Sequence, residues 1–148
     1  MKTELIDIPC LSTSNDARWK VKALKINGMH SLAVDALDRW RNDPAMKKDY
    51  ERILDAIQIA AQVERVRDQN IVKVSDNSKH GKVYEFRAYD YERRRAGKAR
   101  LMFFYDDSEE ALIICTNSYE KDKGAAFAQD RMFEMCDRYR KAYERNKR

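Results

Sequence analysis

Two arginines, a tyrosine and a lysine on three consecutive apolar runs are the residues of this chain best suited to chemistry: Arg87, Arg100, Tyr119 and Lys121. A guanidinium stays charged at any physiological pH and presents a fork of donors to phosphate oxygens, so Arg87 and Arg100 side by side would make a phosphate clamp. Tyr119 offers a ring for stacking a base, and Lys121 and Lys123 offer ammonium groups for a scissile phosphate. His80 titrates near neutrality, which suits an acid or base, although an exposed turn histidine reads the same way. Cations accumulate around these residues. From Lys79 to Arg100 there are eight (Lys79, Lys82, Arg87, Arg93, Arg94, Arg95, Lys98, Arg100) against three acids, an excess equal to the net charge of the whole chain, +5. The segment Tyr89 to Ala99 reads as a loop whose Tyr91 and Arg93 to Arg95 could clamp a nucleic-acid backbone. The competing reading is that the two arginines form ion pairs with Glu85 and the acidic loop, while Tyr119 half packs on the last helix.

Other templates are missing. There is no Walker loop, dinucleotide glycine pattern, HExxH or nucleophile elbow. His30 and His80 are far apart with no Cys or carboxylate at ligand spacing, so neither a metal nor a cofactor is expected. Asp106, Asp107, Glu109 and Glu110 read as a solvated hairpin loop, and Cys10, Cys115 and Cys136 as reduced structural thiols.

Positioning these residues requires strands. Val83, Tyr84, Phe86 and Tyr89, then Leu101 to Tyr105, then Leu112 to Thr116 are β-prone runs that predict an antiparallel meander. Alternation along the first run puts Glu85, Arg87 and Lys82 on one face and Tyr84, Phe86 and Ala88 on the other. Upstream, Trp19 to Asn27 predicts a strand ending in an Asn27-Gly28 turn. Ser31 caps a helix to about Arg41; Asp43 and Pro44 start a second, running to about Arg67, and the two form an αα-hairpin on the sheet. Ile71 to Val74 is either a short strand or a loop. A final helix begins at Gly124 with an apolar face that includes Met132, Cys136 and Tyr143.

The 148 residues, 43% apolar and 37% charged, predict one α+β domain over 19–148, preceded by an arm (1–18) with room for one short strand. Its expected core is an antiparallel or mixed sheet of about four strands with an N-terminal αα-hairpin and a C-terminal helix. The start of the chain has no signal-peptide pattern and no window is apolar enough to span a bilayer, so a soluble cytoplasmic protein with no membrane partner is expected.

The runs YEFR (84–87), RLMFFY (100–105) and ALIICTNSYEKDK (111–123), following a strand and two helices, resemble the RelE/HigB superfamily of bacterial toxins, in particular its phage-derived HigB-like branch. Glu85-Phe86-Arg87 is similar to that branch's E-L-R strand, and Lys121 to one of its lysines. Asn117, Ser118 and Tyr119 stand where His, Gly and Phe are usual, the Arg100 to Tyr105 spacing is longer, and Asp122 interrupts a lysine pair. The resemblance implies a RelE-like fold and metal-independent cleavage of mRNA on the ribosome, held in check by a cognate antitoxin with a helix-turn-helix. It implies Arg87 and Arg100 as phosphate clamps, Tyr119 as stacking or proton-handling group, and Lys121 and His80 as further catalytic groups. Lys79, Lys82, Arg93, Arg94, Arg95, Lys98 and Lys123 would then bind RNA. A non-catalytic module gripping RNA, the ribosome or an acidic partner is the alternative, favoured by Asn117 and the interrupted lysine pair.

Overall fold

Alternating apolar residues build one sheet with helices on both faces. In the computed structural model, which describes residues 1–75, 81–122 and 126–147 (126 and 127 as backbone only), the strands are β1 (Thr3–Ile6), β2 (Lys20–Ile26), β3 (Val72–Val74), β4 (Tyr84–Asp90), β5 (Arg95–Asp106) and β6 (Leu112–Glu120). The helices are α1 (Leu32–Asn42), α2 (Lys47–Gln62) and α3 (Ala126–Asn146). Strand order is β1-β2-β6-β5-β4-β3, and every neighbouring pair is antiparallel except β2 with β6.

The expected meander is present as β4-β5-β6. The expected four-stranded sheet with an N-terminal helical hairpin is not: the sheet is mixed and has six strands, and α1 and α2 follow two of them. Two segments account for the difference. The N-terminal arm pairs its backbone with β2, Leu5 opposite Leu24, and buries Ile8. Ile71 and Val72 are also buried, which pins β3 onto β4 as a three-residue edge.

Each face of the sheet has its own core. Phe86, Ala88, Leu101, Phe103, Ile113 and Cys115 meet the buried stripe of α1 and α2, including Trp40, Ile53 and Ile57. On the other side Val83, Met102, Phe104 and Ile114 meet Phe133, Cys136 and Tyr143 of α3. Trp40 also donates from Nε1 to Glu120 Oε1 at 3.1 Å, tying α1 to β6.

Local signals set the boundaries. Ser31 accepts from the Val34 N–H and caps α1, while Asn27 and Gly28 take the left-handed backbone that their turn requires. Asp43 and Pro44 do not start α2. Asp43 accepts from the Ala45 N–H in a turn, and α2 begins three residues beyond Pro44. Nor does α2 reach Arg67, because Val63 is extended (φ −119°, ψ 157°). Among the described residues, no helix is long and apolar enough to cross a membrane.

Candidate functional site

Arg87 lies directly opposite Arg100 in the β4–β5 ladder, and Arg100 opposite Tyr119 in β5–β6. The three side chains converge on the face covered by α3, where they meet Glu85. Tyr119 donates its hydroxyl to Glu85 Oε1 at 2.5 Å, Arg87 Nε donates to Oε2 at 3.0 Å, and Gln129 of α3 donates to Oε2 at 3.2 Å. Arg100 Nε is 3.8 Å from Oε2, an ion pair too long for a hydrogen bond.

Two bulges make this possible. Leu101 faces Ser118 but Phe103 faces Cys115, so β6 carries one extra residue. That residue reverses the parity of everything after it: Cys115 points toward α1 and α2, whereas Tyr119, four residues later, points toward α3. The second bulge lies between Arg87 and Tyr89, where β5 bows outward through residues 97–99. Asp49 of α2 accepts the Lys98 and Ala99 N–H groups at 2.6 and 2.9 Å, and Arg100 Nη1 donates to the Gly97 and Ala99 carbonyls at 2.8 and 3.0 Å. A Cβ on Gly97 would collide with the Asp49 carboxylate. Arg100 therefore satisfies the bowed backbone with one end while facing Glu85 with the other.

Burial decides how much of this a ligand could touch. Glu85 is 0% exposed and Arg100 2%, whereas the Arg87 side chain is 20% exposed and Tyr119 is half-buried. The expected solvent-facing clamp is thus corrected: Arg100 is an interior cation, and Arg87 with Tyr119 forms the accessible rim. Burial lowers the Arg100 pKa, opposed by the Glu85 charge, and burial followed by Glu85 raises the Tyr119 phenol far above its ordinary range. Two guanidiniums share one carboxylate here, and Arg100 Nε is a buried donor with no hydrogen-bond acceptor. Asp49, on the backbone of residues 98 and 99, adds a second negative charge that acts on Arg100.

Other expected residues are distributed differently. Lys121 and Lys98 are exposed beside the cluster, with the Lys121 N–H on the Lys98 carbonyl at 2.8 Å. Arg93, Arg94 and Arg95 do not belong to a clamping loop. Residues 91–94 are a tight hairpin turn, with Arg94 at φ 54°, held on the α2 side by Arg52 on Asp90 and Tyr91 on Asp68. Lys82 has the opposite parity from Arg87 and stands on the Tyr84 side of the sheet edge. Lys79, His80 and Lys123 lie outside the described residues.

The competing reading that pairs both arginines with Glu85 is what the structure shows, in the interior rather than on the surface; the meeting of Tyr119 and Gln129 at the same carboxylate was not read from the sequence. Gln129, and Lys73 of β3, whose Nζ donates to Gln129 Oε1 at 3.4 Å, carried no signal, because only the fold brings them to Glu85. Compared with known protein families, characterised proteins and solved structures, the chain has no significant match.

Proposed function

We propose that this protein acts on RNA as the toxin of a toxin–antitoxin pair, cleaving mRNA in the cytoplasm at a phosphodiester bound over Arg87 and Tyr119. The observation that carries this reading is the sharing of one carboxylate: Arg87 and Arg100 both face Glu85, Arg100 Nε is an idle buried donor, and a phosphodiester is a monoanion that suits such a pair. A phosphate drawing Arg87 toward itself uncovers Glu85 Oε2, which keeps its bond from Gln129 and serves as the base. The ribose 2′-OH gives its proton to Glu85 as its oxygen bonds to phosphorus, and the arginines stabilise the five-coordinate oxyanion. The 5′-oxygen leaves with a proton from Tyr119, which its surroundings keep protonated at neutral pH. The products are a 2′,3′-cyclic phosphate and a free 5′-hydroxyl. The motif resemblance supports the same activity, a ribosome-bound substrate and an antitoxin partner.

A second reading is favoured by the burial of Glu85 and by the bonds of Arg100 to the bulge carbonyls: a non-catalytic module in which the cluster only holds the sheet together. One experiment separates the two. Ribosomes programmed with end-labelled mRNA are incubated with the wild type and with Arg87→Ala, a half-buried position whose loss spares the core. The first reading expects cyclic-phosphate ends from the wild type, and a loss of about 100-fold or more in the variant with its circular dichroism unchanged. Intact mRNA with the wild type, together with unimpaired growth on expression, would leave the second reading standing.

A further inference from the structure

On the opposite side of the sheet edge from Glu85, a cleft of about 730 Å³ opens between β3 and the segment after α2. Four cations line it, Arg65, Arg67, Lys73 and Lys82, and two half-buried rings, Tyr84 and Tyr105, form part of its wall. Among the described residues no carboxylate lines it, and none lies within ion-pair distance of any of the four cations. Several cations elsewhere on the surface are paired: Lys20 with Glu110, Lys22 with Asp7, Lys25 with Glu4, Arg52 with Asp90. The Lys73 ammonium reaches over the edge to Gln129 on the Glu85 side. The three like charges left around the concavity repel each other, and the arrangement is relieved by an anion.

The aromatic side narrows the choice of anion. The Arg65 guanidinium lies 4.1 Å from the Tyr105 ring centroid and 5.1 Å from that of Trp19, so it is already laid flat as a stacking plane. Tyr84 and Tyr105 meet edge to face with centroids 5.0 Å apart. Rings and flat guanidinium faces beside unpaired cations suit a ligand that alternates planar bases with phosphates. A duplex keeps its bases stacked inside and cannot use those rings.

We infer that this cleft is a binding site for single-stranded RNA, gripping phosphates with Arg65, Arg67 and Lys82 and stacking a base against the Arg65, Tyr84 and Tyr105 surface. The inference shares with the proposed function the reading that the ligand is RNA, and it is independent of any chemistry at Glu85. Lys73 joins the two sites, because it lines the cleft and also donates to Gln129 above Glu85.

The test is fluorescence anisotropy of the full chain with a short labelled oligoadenylate over a range of salt concentrations. The double variant Arg65→Ala with Arg67→Ala changes two exposed side chains and is expected to weaken binding about tenfold or more and to reduce the slope of log K against log salt by roughly 1.4. Lys82→Ala is expected to weaken it less, and Lys20→Ala, at the distant Lys20–Glu110 pair, to leave it within twofold. Unchanged affinity in the double variant would overturn the site. Inorganic polyphosphate of matched charge binding as tightly as the oligonucleotide would overturn base stacking, and stronger competition from polyglutamate would mark the cleft as a protein surface. Cleavage and binding are read separately: Arg87→Ala is scored by cleavage alone, and loss of oligoadenylate affinity in the Arg65→Ala, Arg67→Ala double variant is scored whether or not the wild type cleaves, so either proposal can fail without the other.

Discussion

Glu85 shows how a single buried acid can fix the meaning of its neighbours. Alternation along β4 was enough to place Arg87 opposite Arg100, because both positions follow from period two and an antiparallel ladder. It could not show that the two guanidiniums turn toward a carboxylate two residues upstream, since nothing in a linear string distinguishes an inward Glu from an outward one. The expected grouping of Lys82 with Glu85 and Arg87 is a miscount of that alternation: position 82 shares its parity with Tyr84, and Lys82 stands on that side. Removing the acid leaves Arg100 as an interior charge without its counter-ion, so Glu85→Gln is expected to cost about 3–5 kcal/mol in urea denaturation. A cost below about 1 kcal/mol would mean that the cluster is hydrated and far more open than its burial indicates.

Elements were legible where their own residues decide them and obscure where a partner does. Ser31, the Asn27-Gly28 turn and the three β-prone runs carry local chemistry, and each appears where that chemistry puts it. The bulge that turns Tyr119 toward α3 and the bow at residues 97–99 are settled between strands, and β1 and β3 exist only because β2 and β4 offer them edges. The C-terminal half of α3 gives another case. Tyr143 and Lys147 donate to Asp106 at 2.6 and 2.7 Å, closing the helix onto the end of β5. Burial alone would raise the Asp106 pKa, but those donors and Ser108 hold it well below the usual carboxylate range. A depressed carboxylate contributes stability above its unfolded pKa, about 3.9, and loses that contribution as pH falls toward its folded value. Asp106→Asn is therefore expected to lower stability by about 1–2 kcal/mol at pH 7, with the gap to wild type closing as the solution is acidified below about pH 4. A gap that stays constant into strong acid would show that the link is not ionic.

At the scale of the whole molecule, charge and topology tell different stories about what a sequence reveals. The basic excess over Lys79–Arg100 was plain from composition, but the structure spreads it over a hairpin tip, an interior cluster and a cleft edge. The deepest concentration of unpaired cations instead includes Arg65 and Arg67, which periodicity had assigned to a continuing helix. The parallel contact of β2 with β6, Lys22 beside Ile114, was invisible to local patterns because it spans about ninety residues. Amides of β4, β5 and β6 are expected to gain protection from exchange before those of β1 and β2 when refolding is followed by pulsed deuterium labelling. Simultaneous protection of all six strands would contradict that order.

The same junction has a consequence during synthesis. When β2 leaves the ribosome its neighbour has not yet been translated, and at ordinary elongation rates roughly 5–20 s pass before β6 follows. Until β4 and β5 emerge, both apolar helices lack the strands they cover, and the free edge of β2 waits for β6 to the end of that interval. The nascent N-terminal third is the part of this protein that a chaperone would meet first.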